Sequence, residues 1–420
     1  MTPTSRREFL AATSTAAVAA SFAGGVHAAG GDTLKVGLVG CGGRGTGAAV
    51  NALKADPNVK LTAMADAFAD RLESSLGQIS KGHGPKVDVP EDRRFSGFDA
   101  CAKLLQTDVD LVILATPPHF RPEHLKLCLD AKKHVFCEKP IAVDAAGVRS
   151  VIQTAKAFEA AKLSLVSGFC YRYDLAKRET VKRIHDGAIG DVVTMQINYN
   201  TGPIWHKGRD PKWSEMEYQM RNWYYFTWLS GDHIVEQHVH NFDKAAWVFK
   251  GEMPVAAVGV GGRQQRTDPK YGNIYDHHAV TFEYANGARL YSFCRQQPHT
   301  FNDVSDHVFG TKGKAELMSH VIKGPAAWEY QGEAPNMYQV EHDELFAAIR
   351  AGKILNDGVS AAYSTMMSIM GRMATYSGQR VTWDFAMNES KESLVPPKYE
   401  WADLPPELSA IAVPGATKLV

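Results

Sequence analysis

Short aliphatic runs alternate with amphipathic stretches through the first part of the chain. The aliphatic runs have the length and composition of buried parallel strands, and they occupy residues 35–39, 60–65, 109–115, 134–137 and 164–169. Stretches with helical periodicity lie between them, at residues 48–55, 99–105, 121–131 and 145–161. Strands that alternate with helices predict an α/β domain with a doubly wound parallel sheet over residues 33–169.

The second half of the chain shows the two-residue alternation of strands that bury one face. Strands are predicted at residues 191–200, 254–260, 277–284 and 288–295. The pair Asn286-Gly287 predicts a tight hairpin between the last two, and residues 308–317 predict another. Helices at 338–351 and 360–376 complete a second α/β domain over residues 170–390, and a proline-rich tail, residues 391–420, is expected to wrap the surface.

A glycine-rich turn joins the first predicted strand to the first helix. Its glycines allow a tight turn, a close approach of the backbone to a pyrophosphate and close packing of helix on strand. Such turns also occur without a ligand, but Asp66 ends the next strand, where an acid accepts ribose hydroxyls and repels a 2′-phosphate. The two signals together predict a dinucleotide site that prefers NAD to NADP, with contacts from Gly40, Gly42, Gly43, Arg44, Gly45 and Asp66.

The charge balance argues for a small-molecule partner. The 420 residues include 46 Lys and Arg and 46 Asp and Glu, so we expect neither nucleic acid nor a polybasic membrane surface as a partner. The six cysteines form no C-x-x-C pair and are interpreted as small core residues.

The N-terminus resembles a twin-arginine export signal. Arg6 and Arg7 precede a weakly apolar run and the stretch Val26-His27-Ala28, which predicts cleavage after Ala28. The run is too short and interrupted to span a membrane. Residues 1–28 are therefore predicted to direct export of the folded protein to the periplasm by the twin-arginine machinery, with a disordered basic tail as the alternative.

Five motifs, in this order, resemble the Gfo/Idh/MocA family of sugar, inositol and related dehydrogenases: GCGGRG, Asp66, ATPPH, CEKP and GFCYRYD. The resemblance covers nearly the whole mature chain and implies a Rossmann domain followed by an α/β domain. The second domain has a large open, mainly antiparallel sheet that covers the active site and usually makes the oligomer contact, so we expect a dimer or tetramer. Residues expected near the cofactor from the loops after the third and fourth strands are Thr116, Pro117, His119, Glu138 and Lys139.

The resemblance also implies catalytic residues. The lysine of the E-K-P motif, Lys139, would hydrogen-bond the substrate hydroxyl and favour loss of its proton, although the alternative is a surface lysine. Residues 230–243 align without a gap on the family segment that carries an acid and a histidine. Glu236 then takes the acid position and His240 the acid/base position, whereas Glu replaces the usual Asp at 236 and His238 stands where Gly is common.

Helical spacing supports this alignment. Asp232, Glu236 and His240 are four residues apart and would share one polar face of a helix. A zinc site formed by His233, Glu236, His238 and His240 is the alternative, but their spacing spreads them around a helix and the family needs no metal, so none is predicted. A histidine buried as a satisfied core residue is also open.

Polar and aromatic residues around the expected cleft are candidates for substrate binding. They are Tyr171, Arg172, Tyr173, Arg221, Asn222, Asp232 and His238. The loop between residues 205 and 228 is rich in Trp and Tyr, which suit the C–H faces of sugar rings. An aromatic core or an oligomer interface explains the same composition equally well.

Export constrains the chemistry, because the periplasm supplies no dinucleotide. With association near 10⁶ M⁻¹s⁻¹, retention for about a day requires a release rate on the order of 10⁻⁵ s⁻¹ and a Kd on the order of 10⁻¹¹ M. We therefore expect an oxidoreductase that transfers hydride from a secondary hydroxyl of a sugar or glycoside to a retained NAD, which a second substrate restores. A net glycoside hydrolysis through oxidation, elimination, water addition and reduction is the alternative, and a non-catalytic sugar sensor is the third interpretation.

Overall fold

The computed structural model describes residues 32–420. The predicted export signal, residues 1–28, lies outside the described residues. Within the described part of the chain, no helix combines the length and the apolarity that crossing a bilayer requires. All six cysteines are buried with free thiols.

The first domain is a six-stranded parallel sheet with helices on both faces. Its strand order is β3-β2-β1-β4-β5-β6. Strands β2 and β3 are added on one side of β1 and strands β4 to β6 on the other, so the order of strand addition switches between β1 and β4. In doubly wound sheets ligands bind at this reversal, beyond the carboxyl ends of the strands. The elements are β1 (Leu34–Val39), α1 (Gly43–Ala55), β2 (Val59–Asp66), α2 (Ala69–His83), β3 (Arg94–Ser96), α3 (Ala100–Leu104), β4 (Leu111–Leu114), α4 (Arg121–Asp130), β5 (His134–Cys137), α5 (Ala145–Ala160) and β6 (Leu165–Ser167).

The second domain is built on a nine-stranded mixed sheet. The strand order is β14-β13-β12-β11-β7-β10-β9-β8-β15, and only the β7–β10 pair is parallel. Its elements before the last two helices are α6 (Leu175–His185), β7 (Val192–Thr201), α7 (Glu215–Arg221), α8 (Thr227–Ser230), α9 (His233–Glu236), α10 (Val239–Val248), β8 (Ala256–Gly262), β9 (His277–Glu283), β10 (Arg289–Gln296), β11 (Asp303–Gly310), β12 (Lys314–Glu316), β13 (Val321–Lys323) and β14 (Trp328–Glu329).

Three elements follow the last of these strands: α11 (Met337–Arg350), α12 (Gly358–Ser377) and β15 (Val381–Thr382). Helix α12 is rich in Ala, Met, Ser and Gly and is buried along most of its circumference. It packs against α5 of the first domain and against α10 and β8 of the second, while α11 packs on α1. The chain therefore returns to the first domain through α11 and α12 before β15 adds the last strand to the second sheet, and both domains share core residues.

The predicted fold class is confirmed, and the differences in detail have local causes. Gly287 takes the predicted left-handed conformation, with φ of 86°, in the β9–β10 hairpin. The sequence pattern did not predict several short or polar elements, namely α2, α6, α7, α8, β3, β13, β14 and β15. The helix expected from residue 232 onwards is instead two helices, α9 and α10, separated by a turn at Gln237 and His238. Asp232 lies before α9 with φ of 76°, a conformation that cannot continue a helix.

Candidate active site

A cavity of about 570 Å³ lies at the carboxyl ends of β1, β2 and β4 and extends under the second domain. The glycine-rich turn forms one wall, and residues of the second domain form the opposite wall. The predicted cofactor and catalytic residues that line it are Gly40, Gly42, Gly43, Arg44, Gly45, Asp66, Thr116, Pro117, Glu138, Lys139, Glu236 and His240. Sequence positions up to two hundred residues apart thus meet at one site.

The glycine-rich turn has the shape of a dinucleotide cradle. Gly40 has φ of 96°, and a Cβ atom there would lie 2.5 Å from the backbone of Ala115. A Cβ at Gly45 would lie 1.9 Å from the carbonyl oxygen of Gly40, so only glycine allows α1 to pack this closely. A Cβ at Gly43 meets no atom within 4 Å, which leaves open space in front of the first turn of α1. Free N–H groups at such a helix terminus suit a pyrophosphate, so the residues present fit NAD.

Asp66 lies at the end of β2, where its carboxylate is held by the backbone. Its Oδ2 accepts a hydrogen bond from the N–H of Cys41 at 2.6 Å, and its Oδ1 accepts one from Phe68 at 2.9 Å. Burial raises the pKa of Asp66, and these two N–H donors oppose that shift. Each carboxylate oxygen has a further lone pair for a ribose hydroxyl, which fits the predicted role.

Arg44 lies at the cavity wall and is anchored by two buried carboxylates. Its Nε donates to Glu138 at 2.5 Å, its Nη2 lies 3.2 Å from Glu341, and its guanidinium lies 4.6 Å from the ring centre of Tyr338. Burial lowers the pKa of Arg44, but the two carboxylates outweigh burial and the net shift is upward. Arg44 therefore ties the glycine-rich turn to the E-K-P loop and to α11.

His119 differs from the prediction. It is buried outside the cavity lining, and its Nε2 lies 2.8 Å from the hydroxyl of Tyr399 in the C-terminal tail. Its ring packs edge-on against Trp228 at 4.9 Å. Burial lowers the pKa of His119 to about 3, so it is a neutral core residue that faces away from the cofactor space.

Three predicted catalytic side chains meet at the other end of the cavity. The Nζ of Lys139 donates to the carbonyl oxygen of Glu236 at 2.6 Å and to its Oε1 at 3.1 Å. His240 lines the same wall from α10, one turn beyond Glu236. The turn between α9 and α10 thus keeps these two on the cavity side despite the broken helix.

His240 has a surrounding that favours its neutral form. Its ring packs edge-on against Phe169 at 6.0 Å and Tyr171 at 5.2 Å. Burial holds the pKa of His240 well below its usual range, and the charges of Lys139, Lys244 and Arg44 act in the same direction. Its Nδ1 has no hydrogen-bond partner among the described residues, so a neutral imidazole with a free nitrogen lies beside the cavity.

Asp232 and His238 face away from this site. Both oxygens of Asp232 are used inside the second domain: Oδ1 accepts from the backbone N–H of His233, and Oδ2 accepts from the hydroxyl of Tyr376 at 2.6 Å and from Tyr275 N–H at 2.8 Å. The Nε2 of His238 lies 2.9 Å from the hydroxyl of Ser292 on β10. Neither side chain is therefore placed to contact substrate as predicted. The helix is interrupted at residue 232, and both side chains turn into the core.

The four residues of the zinc alternative do not converge. His233 lies beside Asp232 and His278, Glu236 is paired with Lys139, and the other two histidines have separate surroundings. The ligand atoms of Asp232, His233 and His278 do lie within 4.8 Å of one another. The Asp232 oxygens already accept hydrogen bonds from protein donors, so we interpret this group as a buried hydrogen-bond network.

The other predicted substrate contacts are engaged elsewhere in the protein. Arg172 pairs with Asp243 at 2.7 Å, and the hydroxyl of Tyr173 donates to Asp357 at 2.8 Å. The ring of Tyr171 packs edge-on against the ring of His240. None of these three side chains is part of the cavity wall. They pack the junction between the two domains.

Residues of the aromatic loop divide between core and cavity. Asn222 is buried, and its Oδ1 accepts the N–H of Lys207 at 2.8 Å, while Arg221 pairs with Asp70 and Glu217. Trp228 and Tyr225 are core residues, whereas Trp205 and Trp223 line the cavity. The sequence analysis missed several lining residues, namely Phe68, Arg71, Phe98, Tyr199, Lys207, Gln237 and Tyr338. Only Phe68 and Arg71 had a signal, since they follow Asp66 closely.

Comparisons with known proteins agree with this geometry. Residues 34–164 match the oxidoreductase family profile with an NAD-binding Rossmann fold, Gfo/Idh/MocA, and residues 178–316 match the C-terminal domain of the same family. Inositol 2-dehydrogenase of Rhizobium meliloti (strain 1021) is 29% identical over 284 residues, which are 67% of this chain and 74% of that protein. A glycosyl hydrolase family 109 protein of Streptomyces coelicolor is 31% identical over 178 residues, 42% of this chain and 36% of that protein.

A solved structure shows the same fold. The aldose-aldose oxidoreductase from Caulobacter crescentus, complexed with glycerol, superposes with a TM-score of 0.63 at 21% identity, over 83% of this chain and 99% of that one. Two successive domain matches, the dinucleotide cradle and the E-K-P lysine on one cavity lead to a single conclusion. This chain belongs to the Gfo/Idh/MocA family and is an NAD-dependent oxidoreductase.

Proposed function

We propose that this enzyme oxidises a secondary hydroxyl of a sugar or glycoside and that its NAD is restored within each catalytic cycle. The observation that carries the proposal is the meeting of Lys139, Glu236 and His240 at one end of the cavity that the glycine-rich turn and Asp66 open at the other end. Bound NAD supplies the acceptor for the hydride of the hydroxyl-bearing carbon. Inositol 2-dehydrogenase, a relative by sequence, acts on a ring of secondary alcohols, which supports this substrate class.

Lys139 and His240 have separate roles in removing the hydroxyl proton of the substrate. The Lys139 ammonium has three donors, and two are directed at Glu236, which leaves one for a substrate oxygen. A cation beside that oxygen stabilises the developing alkoxide. His240 is neutral because its pKa is lowered by burial and by Lys139, so its imidazole accepts the proton as the carbon is oxidised. Glu236 orients Lys139 through its backbone carbonyl oxygen and its Oε1.

Glycoside hydrolysis is the second candidate, because a family 109 glycosyl hydrolase is among the relatives. In that route oxidation of a ring carbon makes the neighbouring C–H acidic, a base removes this proton, and the aglycone leaves by elimination. His240 is positioned as such a base. The local similarity covers 36% of the hydrolase, so we rank this route below paired oxidoreduction. A non-catalytic sugar sensor would leave the Lys139–Glu236–His240 group without a role.

Export to the periplasm by the twin-arginine route and assembly into a homo-oligomer are parts of the same proposal. Paired arginines at positions 6 and 7 support export. Large apolar side chains on the outer face of the second sheet, including Val260, Phe293 and Phe309, support self-association through that face.

Mass spectrometry of small molecules released by denaturing the undialysed protein tests the retained cofactor. Fresh protein is then incubated without added NAD, first with an aldose and a ketose and then with aryl glycosides. We expect one NAD per chain and interconversion of the first pair. Liberated aglycone would assign the hydrolase route instead. Sugar binding without any dinucleotide or hydride transfer would establish the sensor.

Lys139→Ala tests the role of the ammonium. The variant should keep its NAD, because Lys139 lies at the substrate end of the cavity, but hydride transfer should fall by roughly 10²- to 10⁴-fold. Single-turnover absorbance at 340 nm with saturating sugar measures it, and Lys126→Ala, an exposed position on α4, is the matched control. Wild-type turnover in Lys139→Ala would remove Lys139 from the mechanism.

A further inference from the structure

The end of the cavity beyond Asp66 is covered by residues from outside the first domain. Phe68 and Phe98 line this end, where the ribose of the adenosine would bind Asp66. The Arg221 guanidinium from α7 lies 4.0 Å from the ring centre of Phe68. Trp401 of the C-terminal tail lies 4.5 Å from the ring centre of Phe98 and 5.2 Å from that of Phe68.

The C-terminal tail is fastened on both sides of Trp401, to the first domain before it and to the second domain after it. The carbonyl oxygen of Ala402 accepts the N–H of Met216 at the start of α7, at 3.1 Å. Further along, Asn273 donates to the carbonyl oxygens of Leu408 and Ala410, each at 3.1 Å. Before Trp401, Tyr399 meets His119 of the first domain. The tail is therefore a strap that joins the two domains over the adenosine end.

Two cations without carboxylate partners face the same space. Arg71 on α2 and Lys207 in the loop after β7 both line the cavity, and within residues 32–420 neither forms an ion pair. The Nη1 of Arg71 lies 3.7 Å from the position of a Cβ on Gly42, next to the phosphate-binding turn, and its Nε is buried without a partner. Burial and the charges of Arg71 and Arg221 lower the pKa of Lys207. Asp70 lies near enough to oppose the shift at Lys207, but neither cation has a carboxylate of the described residues within ion-pair distance, and such positive charge beside a glycine-rich turn suits a diphosphate.

We propose that Arg71, beside the glycine-rich turn, and Lys207, from the second domain, bind the pyrophosphate of NAD, and that the strap with Trp401 closes the adenosine end and slows cofactor release. The inference deepens the proposed function, since it rests on NAD as a retained group. Release then requires the strap and the loop that carries Lys207 to separate from the first domain. Contacts of this kind act mainly on the dissociation rate.

The release rate of NAD tests directly whether Lys207 and the strap hold the cofactor in place. The purified holoenzyme, loaded by incubation with NAD if it is isolated without it, is mixed with an excess of isotopically labelled NAD, and bound label is followed by mass spectrometry. Lys207→Ala should release NAD roughly 10-fold faster or more, because a charge-assisted contact is lost, and raised salt should reduce the difference from wild type. Trp401→Ala should release it roughly 3- to 10-fold faster, and Trp401→Phe should recover most of the loss.

Matched controls lie on the same two segments. Lys212→Ala is in the loop that carries Lys207, and Ile411→Ala is in the strap; both side chains are exposed. Both should exchange NAD at the wild-type rate. Thermal unfolding of the cofactor-free proteins checks that all variants fold alike. Equal exchange rates in Lys207→Ala, Trp401→Ala and wild type would overturn the proposal that Lys207 and the strap slow NAD release.

Failure of the cover and failure of the proposed function give different results. Wild-type protein could exchange NAD within seconds while the two variants exchange it faster still by the stated factors. The proposal that Lys207 and the strap slow release would then hold, and the idea of a permanently retained cofactor would be wrong. Hydride transfer at saturating added NAD is measured separately. Its absence would refute the oxidoreductase proposal without changing the order of the release rates.

Discussion

At the scale of single residues, the site combines an ammonium with a histidine that resists protonation. The side chains of Lys139 and His240 both line the cavity, and the positive charge of Lys139 contributes to the lowered pKa of His240. Burial, and the repulsion between two cations close together, hold the imidazole in its neutral form in the free enzyme. In the proposed mechanism the ammonium lies at the substrate oxygen, where a positive charge favours ionisation.

His240→Ala removes the proton acceptor. We expect turnover to fall by roughly 10²- to 10⁴-fold, because general base catalysis contributes on this scale. Steady-state kinetics with the best sugar substrate gives kcat and KM separately, and His83→Ala, at the end of α2 and distant from the site, is the control. A change confined to KM would make His240 a binding residue.

Asp66→Ala tests the choice between NAD and NADP. The carboxylate is positioned for ribose hydroxyls and would repel a 2′-phosphate, so its removal should weaken NAD binding and relax discrimination against NADP. Calorimetric titration of the cofactor-free variant with both dinucleotides measures the two affinities. An unaltered preference would show that Asp66 does not contact the ribose.

At the scale of elements, the segment from Gly231 to Val248 shows how tertiary contacts override helical spacing. Gly231 and Asp232 have φ of 77° and 76°, which ends α8 and prevents one continuous helix. The carboxylate of Asp232 holds this conformation through Tyr275 and Tyr376, which are distant in sequence. The spacing of four residues correctly related Glu236 to His240, but not Asp232 to either.

Asp232→Ala should therefore destabilise the fold rather than act on chemistry alone. Two buried donors and the neighbouring histidines lose their acceptor, so we expect a cost of about 3–5 kcal/mol in unfolding free energy. Urea unfolding measures it. Asp268→Ala removes an exposed capping carboxylate that accepts from the backbone N–H of Lys270 and should destabilise the fold far less. Equal midpoints for the two variants would contradict the structural role of Asp232.

At the scale of the whole molecule, several histidines are buried in neutral form where the domains meet. His342 on α11 packs 4.2 Å from the ring centre of Phe136, and neither ring nitrogen has a hydrogen-bond partner among the described residues. Burial lowers the pKa of His342 to about 3. Burial also lowers the pKa of His124 to about 4. Below their ordinary pKa, the unfolded chain binds protons at these positions and the folded protein does not, so stability falls as pH decreases.

For His342 this linkage is measurable. Between pH 7 and pH 5 the lowered pKa of His342 should reduce the free energy of unfolding by about 2 kcal/mol, because an unfolded histidine has a pKa of about 6.5. In His342→Leu the fall in unfolding free energy over this range should be smaller by that amount. Urea unfolding at a series of pH values compares the slopes, with His83→Leu as the control. A slope equal to wild type would mean that His342 is protonated in the folded protein.

The sequence by itself determined the features that depend on near neighbours along the chain. Strand and helix periodicity, the glycine-rich turn, Asp66 and the hairpin at Gly287 follow from local sterics and patterning, and the structure has each of them. The E-K-P lysine could be located because it follows a buried strand directly.

Only the tertiary structure decided which polar side chains face the cavity. His119, Asp232 and His238 are turned into the core by partners more than fifty residues away, in one case in the C-terminal tail. Lys207 lines the cavity and Trp401 packs against Phe98 at its edge, although nothing in their local sequence indicates it. The physical reason is that hydrogen bonds and burial are satisfied between distant segments, whose juxtaposition a local pattern does not contain.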